Sequence, residues 1–457
     1  MFNYHGTTPK ERAEVSRQFA KFSFQRPFSV LRGIMDHNEE NIIQPLISLD
    51  ISDAKKDLVP DHTVLAGMFG GFNLSNYPRY EITHSTIDCC EFVVDLAEEE
   101  QSPTGVPTHL LARLEKPRPN NQLFCSAAFQ RIAHRKMPSV VPKVWGVGTT
   151  MTDEGVELHY LLSQYWEGAV CVEAIWEEMN YPVQKSLMED VATVIADLQE
   201  ISVDDLEKED WDILAEHPLH SEGVDDIPMV GNSQVGWFKD MASFLMSKLA
   251  PGQAKYSIST TDDGSVVFSG TFGESRVPSR YEIQFTPENL AYLLDACALC
   301  HNDVEPRNII IRPTQTDHGP GYELIAITNF DSAGFFPFAY ETVMKDLLLG
   351  QRNRIGSWYD LYKEVTHHLL YVNPDLDNAT SQEKLIKAVT LADIGQKQMQ
   401  AFHVGNRVQM KWLEREGYHR GETAQEGFTR ADDFDLVYTE IDDAELEEEA
   451  LQELGYL

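Results

Sequence analysis

Basic side chains are scarce: 37 Lys and Arg stand against 73 Asp and Glu, a formal charge of −36. Such a surface repels nucleic-acid phosphates and anionic lipids, so nucleic acid is not an expected partner. Long apolar runs are also missing. No uninterrupted stretch of about 18 apolar residues occurs, and the opening "MFNYHGTTPKERAEV" has no apolar h-region, so neither a membrane span nor secretion is expected. Cysteine is sparse, with only Cys89, Cys90, Cys125, Cys171, Cys297 and Cys300. That is too few for a disulfide framework and points to a reduced, cytoplasmic setting. Cys297 and Cys300 have the spacing of a redox or zinc half-site, but no second ligand pair lies at a finger-like distance. Leu290, Leu293, Leu294 and Cys297 recur at helical spacing, which predicts buried helix cysteines. Repeats and low-complexity tracts are absent as well.

What is present is a folding chain. Hydrophobic residues make up 42% and aromatics 10% of 457 residues, enough for two or three structural units, since single cores stop growing near about 250–300 residues. "TTPKERAEV" reads as a capped helix start, giving a helical N-terminal extension over 1–60. From Val64 the texture changes to short β-type runs, "VLAGMFGGFN", "EFVVDLA" and "HLLARLE", and the span 61–165 is expected to build a small antiparallel sheet with one helix. The span 166–425 is expected to be mostly helical, with a variable insertion near 200–285 containing the helix "WFKDMASFLMSKL". "NIIIRP" and "YELIAITNF" predict a hairpin. The acidic tail, 426–457, carries Leu446, Ala450 and Leu454 four apart, which predicts a helix docked on one face.

One stretch stands out. "CHNDVEPRNIII" places His301, Asp303 and Asn308 at fixed intervals before an isoleucine run. A loop of this kind can hold a carboxylate against a substrate hydroxyl while an amide oxygen binds a metal. A turn-capping role for Asp303 is the competing interpretation, because Asn-Asp followed by Pro306 is also turn chemistry. His301 is expected to be architectural.

Together, "CHNDVEPRNIII" and "ITNFDSAGFFPFAYE" resemble the aminoglycoside phosphotransferase family, especially its fungal small-molecule-kinase-like members, whose pattern is approximately H-x-D-x-x-P-x-N-I and then I-D-W/F-x-x-A-G-x-x-P. The resemblance extends more weakly to "GGFN", "LLARLEKP", "VVPKVWGVG" and "LLSQYWEGA". It implies an α+β, bilobal, protein-kinase-like fold with a small antiparallel N-lobe and a larger helical C-lobe. It further implies ATP and Mg²⁺ as cofactors and a small-molecule acceptor. By the same resemblance Asp303 is the catalytic base, Asn308, Asn329 and Asp331 are the metal group, and Arg113 with Gly70 and Gly71 contacts the nucleotide. Strand alternation puts Leu111 and Arg113 on one face; a solvated strand arginine remains the alternative for Arg113.

The pattern breaks in two places. Asn329 stands where the family carries a metal-binding Asp, which removes a formal charge that Mg²⁺ favours. If the segment is extended, Asp331 points to the same side and can substitute. Between Lys116 and Thr152 there is no Asp or Glu, so the usual helix partner of the Arg113 cation is missing. Two functions therefore stand: phosphoryl transfer from ATP to a hydroxyl of a small molecule, or a degenerate pseudokinase acting in binding, scaffolding or reassigned chemistry.

Overall fold

The computed structural model describes residues 57–70, 78–96, 107–118, 122–215, 230–249, 255–272, 279–316, 319–371, 376–399, 403–421, 423, 426–431 and 440–455. The expected N-terminal helical extension falls almost wholly outside them. The chain divides into two units, Met1–Lys116 with Thr149–Leu158, and Pro117–Gly148 with His159–Leu457. The class is α+β.

The smaller unit contains helix α1 (His62–Met68) and an antiparallel meander of β1 (Arg79–Ser85), β2 (Cys89–Asp95) and β3 (His109–Glu115). Alternation builds the meander: Leu110, Ala112 and Leu114 are buried on one face of β3, and Phe92 and Val94 on β2. The β1–β2 turn is closed by Thr86, whose Oγ1 accepts from the backbone N–H of Cys89 at 3.0 Å. "VLAGM" is helical rather than the β-type run expected from its apolar content. Asp61 caps it by accepting from Val64 N–H at 2.9 Å, and Val64, Leu65 and Met68 form a helical stripe that buries one face.

The helix expected within the span 61–165 is α2 (Gln122–Lys136); it falls in the larger unit and is followed by β4 (Val144–Met151) and β5 (Glu157–Gln164), whose joining tip belongs to the smaller unit. After β6 (Val170–Cys171) comes α3 (Tyr181–Leu198), capped by Asn180 and buried along Leu187, Val191, Ile195 and Leu198. The described residues of the region expected to be a loop-rich insertion include several regular elements. It contains α4 (Lys208–Ala215), the short hairpin β7 (Val230–Asn232) and β8 (Gly236–Phe238), and α5 (Met241–Met246). It ends in an antiparallel sheet of β9 (Tyr256–Thr260), β10 (Val266–Phe272) and β11 (Ser279–Phe285). The expected helix "WFKDMASFLMSKL" splits, because Asp240 starts a new helix by accepting from Ser243 N–H at 2.7 Å while Trp237 pairs in β8.

Helix α6 (Pro287–Asp295) opens with a Thr286–Asn289 capping box and stops before the cysteines. Cys297 and Cys300 therefore lie in strand β12 (Cys297–Cys300), not on a helix: all four of its residues are buried in the sheet that also holds β7 and β8. A short all-apolar run has no period to separate the two structures, and the sheet decides it. The predicted hairpin is β13 (Ile309–Thr316) with β14 (Gly319–Ile327); β15 (Gly334–Pro337) follows and pairs with β12. Helices α7 (Phe338–Leu348), α8 (Gly356–Thr366), α9 (Leu376–Met399) and α10 (Val404–Arg415) complete the core around Trp176, Trp358 and Tyr362. The short pair β16 (Tyr418–Arg420) and β17 (Phe428–Arg430) precedes α11 (Glu440–Glu453), which packs on α10. Leu446 and Ala450 are buried there, and Leu454 is half-buried. Among the described residues no helix is long and apolar enough to cross a membrane.

Candidate active site

The loop His301–Asn308 joins β12 to β13, and Thr328–Ser332 joins β14 to β15, so two sheet ends in the larger unit fix both motifs. Asn302 (φ 59°) and Asn329 (φ 64°) both adopt the left-handed conformation. Asn tolerates this better than most side chains, and each such residue turns its strand end sharply.

His301 is fully buried. Its Nδ1 accepts from Asp303 N–H at 3.3 Å and its Nε2 lies 2.9 Å from the Thr328 carbonyl, which fits a neutral ring with the proton on Nε2. Burial, the main cause, lowers its pKa. The ring packs edge-on against Phe330 at 4.8 Å. The histidine thus pins one motif to the other, which is an architectural role.

Asp303 is the centre of the cluster, with a side chain only 5% exposed. Its Oδ1 pairs with Arg307 Nη2 four residues on. Its Oδ2 accepts from Asn308 Nδ2 at 2.9 Å and, at 3.4 Å, from Asn329 Nδ2. Asn308 Nδ2 also donates to the Asp303 carbonyl at 2.7 Å, and Asn308 Oδ1 accepts from Asn329 Nδ2 at 3.2 Å. Asp303, Asn308 and Asn329 are therefore brought together. Arg307, which the spacing of the motif did not single out, completes the group. Its i,i+4 distance from Asp303 was the available signal. Arg307 Nη1 also donates to the Arg352 carbonyl at 2.5 Å.

Beneath the loop lies a buried ionic layer. Lys345 Nζ reaches Glu305 Oε1 at 3.0 Å and donates to the Val304 carbonyl at 2.5 Å, which also accepts from Trp358 Nε1 at 3.2 Å. Burial lowers the Lys345 pKa and raises that of Glu305, each opposed by the other's charge. Glu341 Oε2 accepts from His301 N–H at 3.2 Å, and burial pushes its carboxyl up to about 7.

Asp331 is held differently from the expectation. Phe330–Ser332 is a single 3₁₀ turn after a left-handed residue, so Asn329 and Asp331 are not two positions of an extended segment and the same-side rule does not apply. Among the described residues, no cluster of three or more His, Cys, Asp and Glu side chains could hold a metal. The hydrogen-bonded trio of Asp303, Asn308 and Asn329 has one carboxylate, which pairs with Arg307, and Asn329 turns an N–H₂ toward it. Mg²⁺ demands hard oxygen ligands and negative charge; these residues, as arranged, do not fit it.

In the smaller unit, Arg113 shares a face of β3 with Leu111, as alternation predicts. The expectation that it lacks a local acidic partner is overturned. Arg113 Nη2 pairs with Glu115, which is 1% exposed, and Arg113 Nε lies 4.0 Å from Glu91 Oε1 on β2. The register places Glu91 directly opposite Arg113. The same i,i+2 rule that put Leu111 beside Arg113 also points to Glu115, an acid on the strand itself rather than on the following helix. Gly70 lies in an exposed turn after α1, and Gly71 falls outside the described residues.

No family model matches the chain, and no curated protein matches it. Among solved structures, it is similar to a thermostable mutant of aminoglycoside phosphotransferase APH(4)-Ia in ternary complex with AMP-PNP and hygromycin B. The identity is 14% and the TM-score 0.38, over 77% of this chain and 95% of that one. It is also similar to the GDP and kanamycin complex of APH(2")-IIia, at 12% identity and TM-score 0.35, over 77% and 96%. A third is the spectinomycin phosphotransferase APH(9)-Ia with ADP and spectinomycin, at 9% identity and TM-score 0.31, over 79% and 94%. At these scores the likeness supports no conclusion about site, substrate or activity.

Proposed function

We propose that the protein is a kinase-like binding protein in which the Asp303 loop is a structural and ligand-ordering element rather than a magnesium-dependent phosphoryl-transfer centre. The observation that carries this is the placement of Asn329. Its Nδ2 donates toward Asp303 Oδ2 and Asn308 Oδ1, so an N–H rather than a ligand oxygen faces the loop. A carboxylate at that position would face Asp303 and require a cation between them; an amide fills the same place with no charge, its Oδ1 buried with no hydrogen-bond partner among the described residues.

A second reading has one observation in its favour. Asp303 and Asn308 keep a direct 2.9 Å contact, the pair that the resemblance to aminoglycoside phosphotransferases assigns to base and metal ligand in ATP-dependent transfer to a small-molecule hydroxyl. Calorimetric titration of ATP with and without Mg²⁺, together with ATP consumption, separates the two. The binding-protein reading expects no magnesium-linked nucleotide binding by the wild type and a gain of Mg²⁺ affinity in Asn329→Asp. Magnesium-dependent turnover by the wild type that disappears in Asp303→Asn would overturn it.

A further inference from the structure

The Arg307 guanidinium is held at two points. Its Nη2 pairs with Asp303, and its Nη1 donates to the Arg352 carbonyl at 2.5 Å. The side chain is 25% exposed, so water competes for it, and the Arg352 carbonyl keeps its planar fork turned toward the carboxylate. The ion pair at the site therefore depends on the turn that follows α7.

That turn is built against α10. The backbone N–H groups of Arg352 and Asn353 both donate to the Leu348 carbonyl, at 2.9 and 3.1 Å, and Gly350 N–H donates to the Asn353 carbonyl at 2.7 Å. Gly350 adopts φ 76°, and a Cβ there would come within 3.0 Å of the Trp412 ring, so the chain turns in contact with the helix. Gln409 Nε2 donates to the Leu347 and Leu349 carbonyls at 3.0 and 2.6 Å. One side of the turn is thus fixed by α10.

The other side is gripped by α11. Arg354 lies two residues beyond Arg352, joined to it through Asn353, whose Oδ1 accepts from Ile355 N–H at 2.9 Å. Arg354 Nη2 reaches Glu447 Oε1 at 2.5 Å, and its Nη1 lies 3.6 Å from Asp443 Oδ2. These three side chains are 10–20% exposed, less than Glu449 and Glu453, which pair with Lys411 and Arg407 of α10. A pair taken this far from water holds its geometry more tightly, because loss of one charge leaves the other poorly solvated. The first half of α11 therefore grips the turn that carries Arg352, and the acids of its second half lie on α10.

We propose that α11 is a strap for the Asp303 loop: Glu447 and Asp443, acting through Arg354 and the 348–353 turn, position Arg307 on Asp303. The proposal rests on the reading of that loop as a ligand-ordering element and names what sets its order. The test is hydrogen–deuterium exchange of the full chain, followed by mass spectrometry on peptides spanning 299–311. It uses neither nucleotide nor magnesium, so its failure is distinguishable from that of the magnesium–nucleotide measurement. Glu447→Gln and Arg354→Met are each expected to speed exchange of those peptides about fivefold, with exchange in β10 unchanged. Arg407→Ala removes an ion pair of the same helix without touching the turn, and is expected to leave the loop at the wild-type rate. Arg307→Met should speed exchange by itself, and Glu447→Gln added to it should change nothing further, because the link is already cut. Wild-type exchange in both Glu447→Gln and Arg354→Met, an equal rise in Arg407→Ala, or additive effects of Glu447→Gln and Arg307→Met would overturn the proposal.

Discussion

Two sets of ion pairs hold two parts of this protein, and burial makes them opposite in kind. Under the loop, Lys345 and Glu305 are 3% and 0% exposed and share their charge with the Val304 carbonyl. Along the C-terminal helix, Lys411 reaches Glu449 at 3.1 Å and Glu453 at 2.6 Å, and Arg407 also pairs with Glu453. Those acids are 43–66% exposed. A buried pair adds little net stability, but removing one member strands the other charge away from water. Exposed pairs are solvated either way and are screened by salt. The first set therefore fixes the shape of the loop, whereas these exposed pairs guide an acidic helix onto a basic face; its attachment rests on Leu446 and Ala450 and on the less exposed pairs of Arg354 with Glu447 and Arg415 with Asp443.

The largest test of this contrast is Lys345→Met, which leaves Glu305 buried without its partner. A loss of about 3–5 kcal/mol in urea unfolding is expected. Next is the pH dependence set by Glu341, whose folded-state pKa is raised from 4.5 to about 7 by burial. A raised carboxyl pKa means the folded state holds its proton longer than the unfolded chain does. Its contribution is full below pH 4.5 and is lost as pH rises to about 7, at up to about 1.4 kcal/mol per pH unit. The lowered pKa of His301 acts in the opposite sense, so the readout is the difference between wild type and Glu341→Gln, whose stability should fall less across that window. Deleting the chain after Arg430 should cost about 2–3 kcal/mol by uncovering the surface that Leu446 and Ala450 of α11 cover and should lower solubility. Arg407→Ala is expected to leave the unfolding midpoint nearly unchanged, with any small loss vanishing at high salt. A Lys345→Met variant as mild as Arg407→Ala would end the distinction.

Much of this was legible in the sequence because it depends on short-range periodicity. The α2 helix, the β13–β14 hairpin, the alternation of Leu111 and Arg113 and the apolar stripe of the tail all follow from spacing alone. The elements that differed were those where local signals tie. "VLAGM" and "CALC" are equally apolar. One became a helix because Asp61 caps it, and the other a strand because β15 runs beside it.

At the site the division is the same. Sequence by itself determined which groups are available: one carboxylate at Asp303 and amides at Asn308 and Asn329. It also determined that Arg307 lies within i,i+4 reach of Asp303. Only the tertiary structure decided what those groups do, because β12 pairs with β15 and β13 with β14, which lays the two connecting loops side by side, each bent by a left-handed residue, Asn302 or Asn329. Hydrogen bonds are directional over about 3 Å, and no local pattern encodes which end of an amide will face a carboxylate 26 residues away.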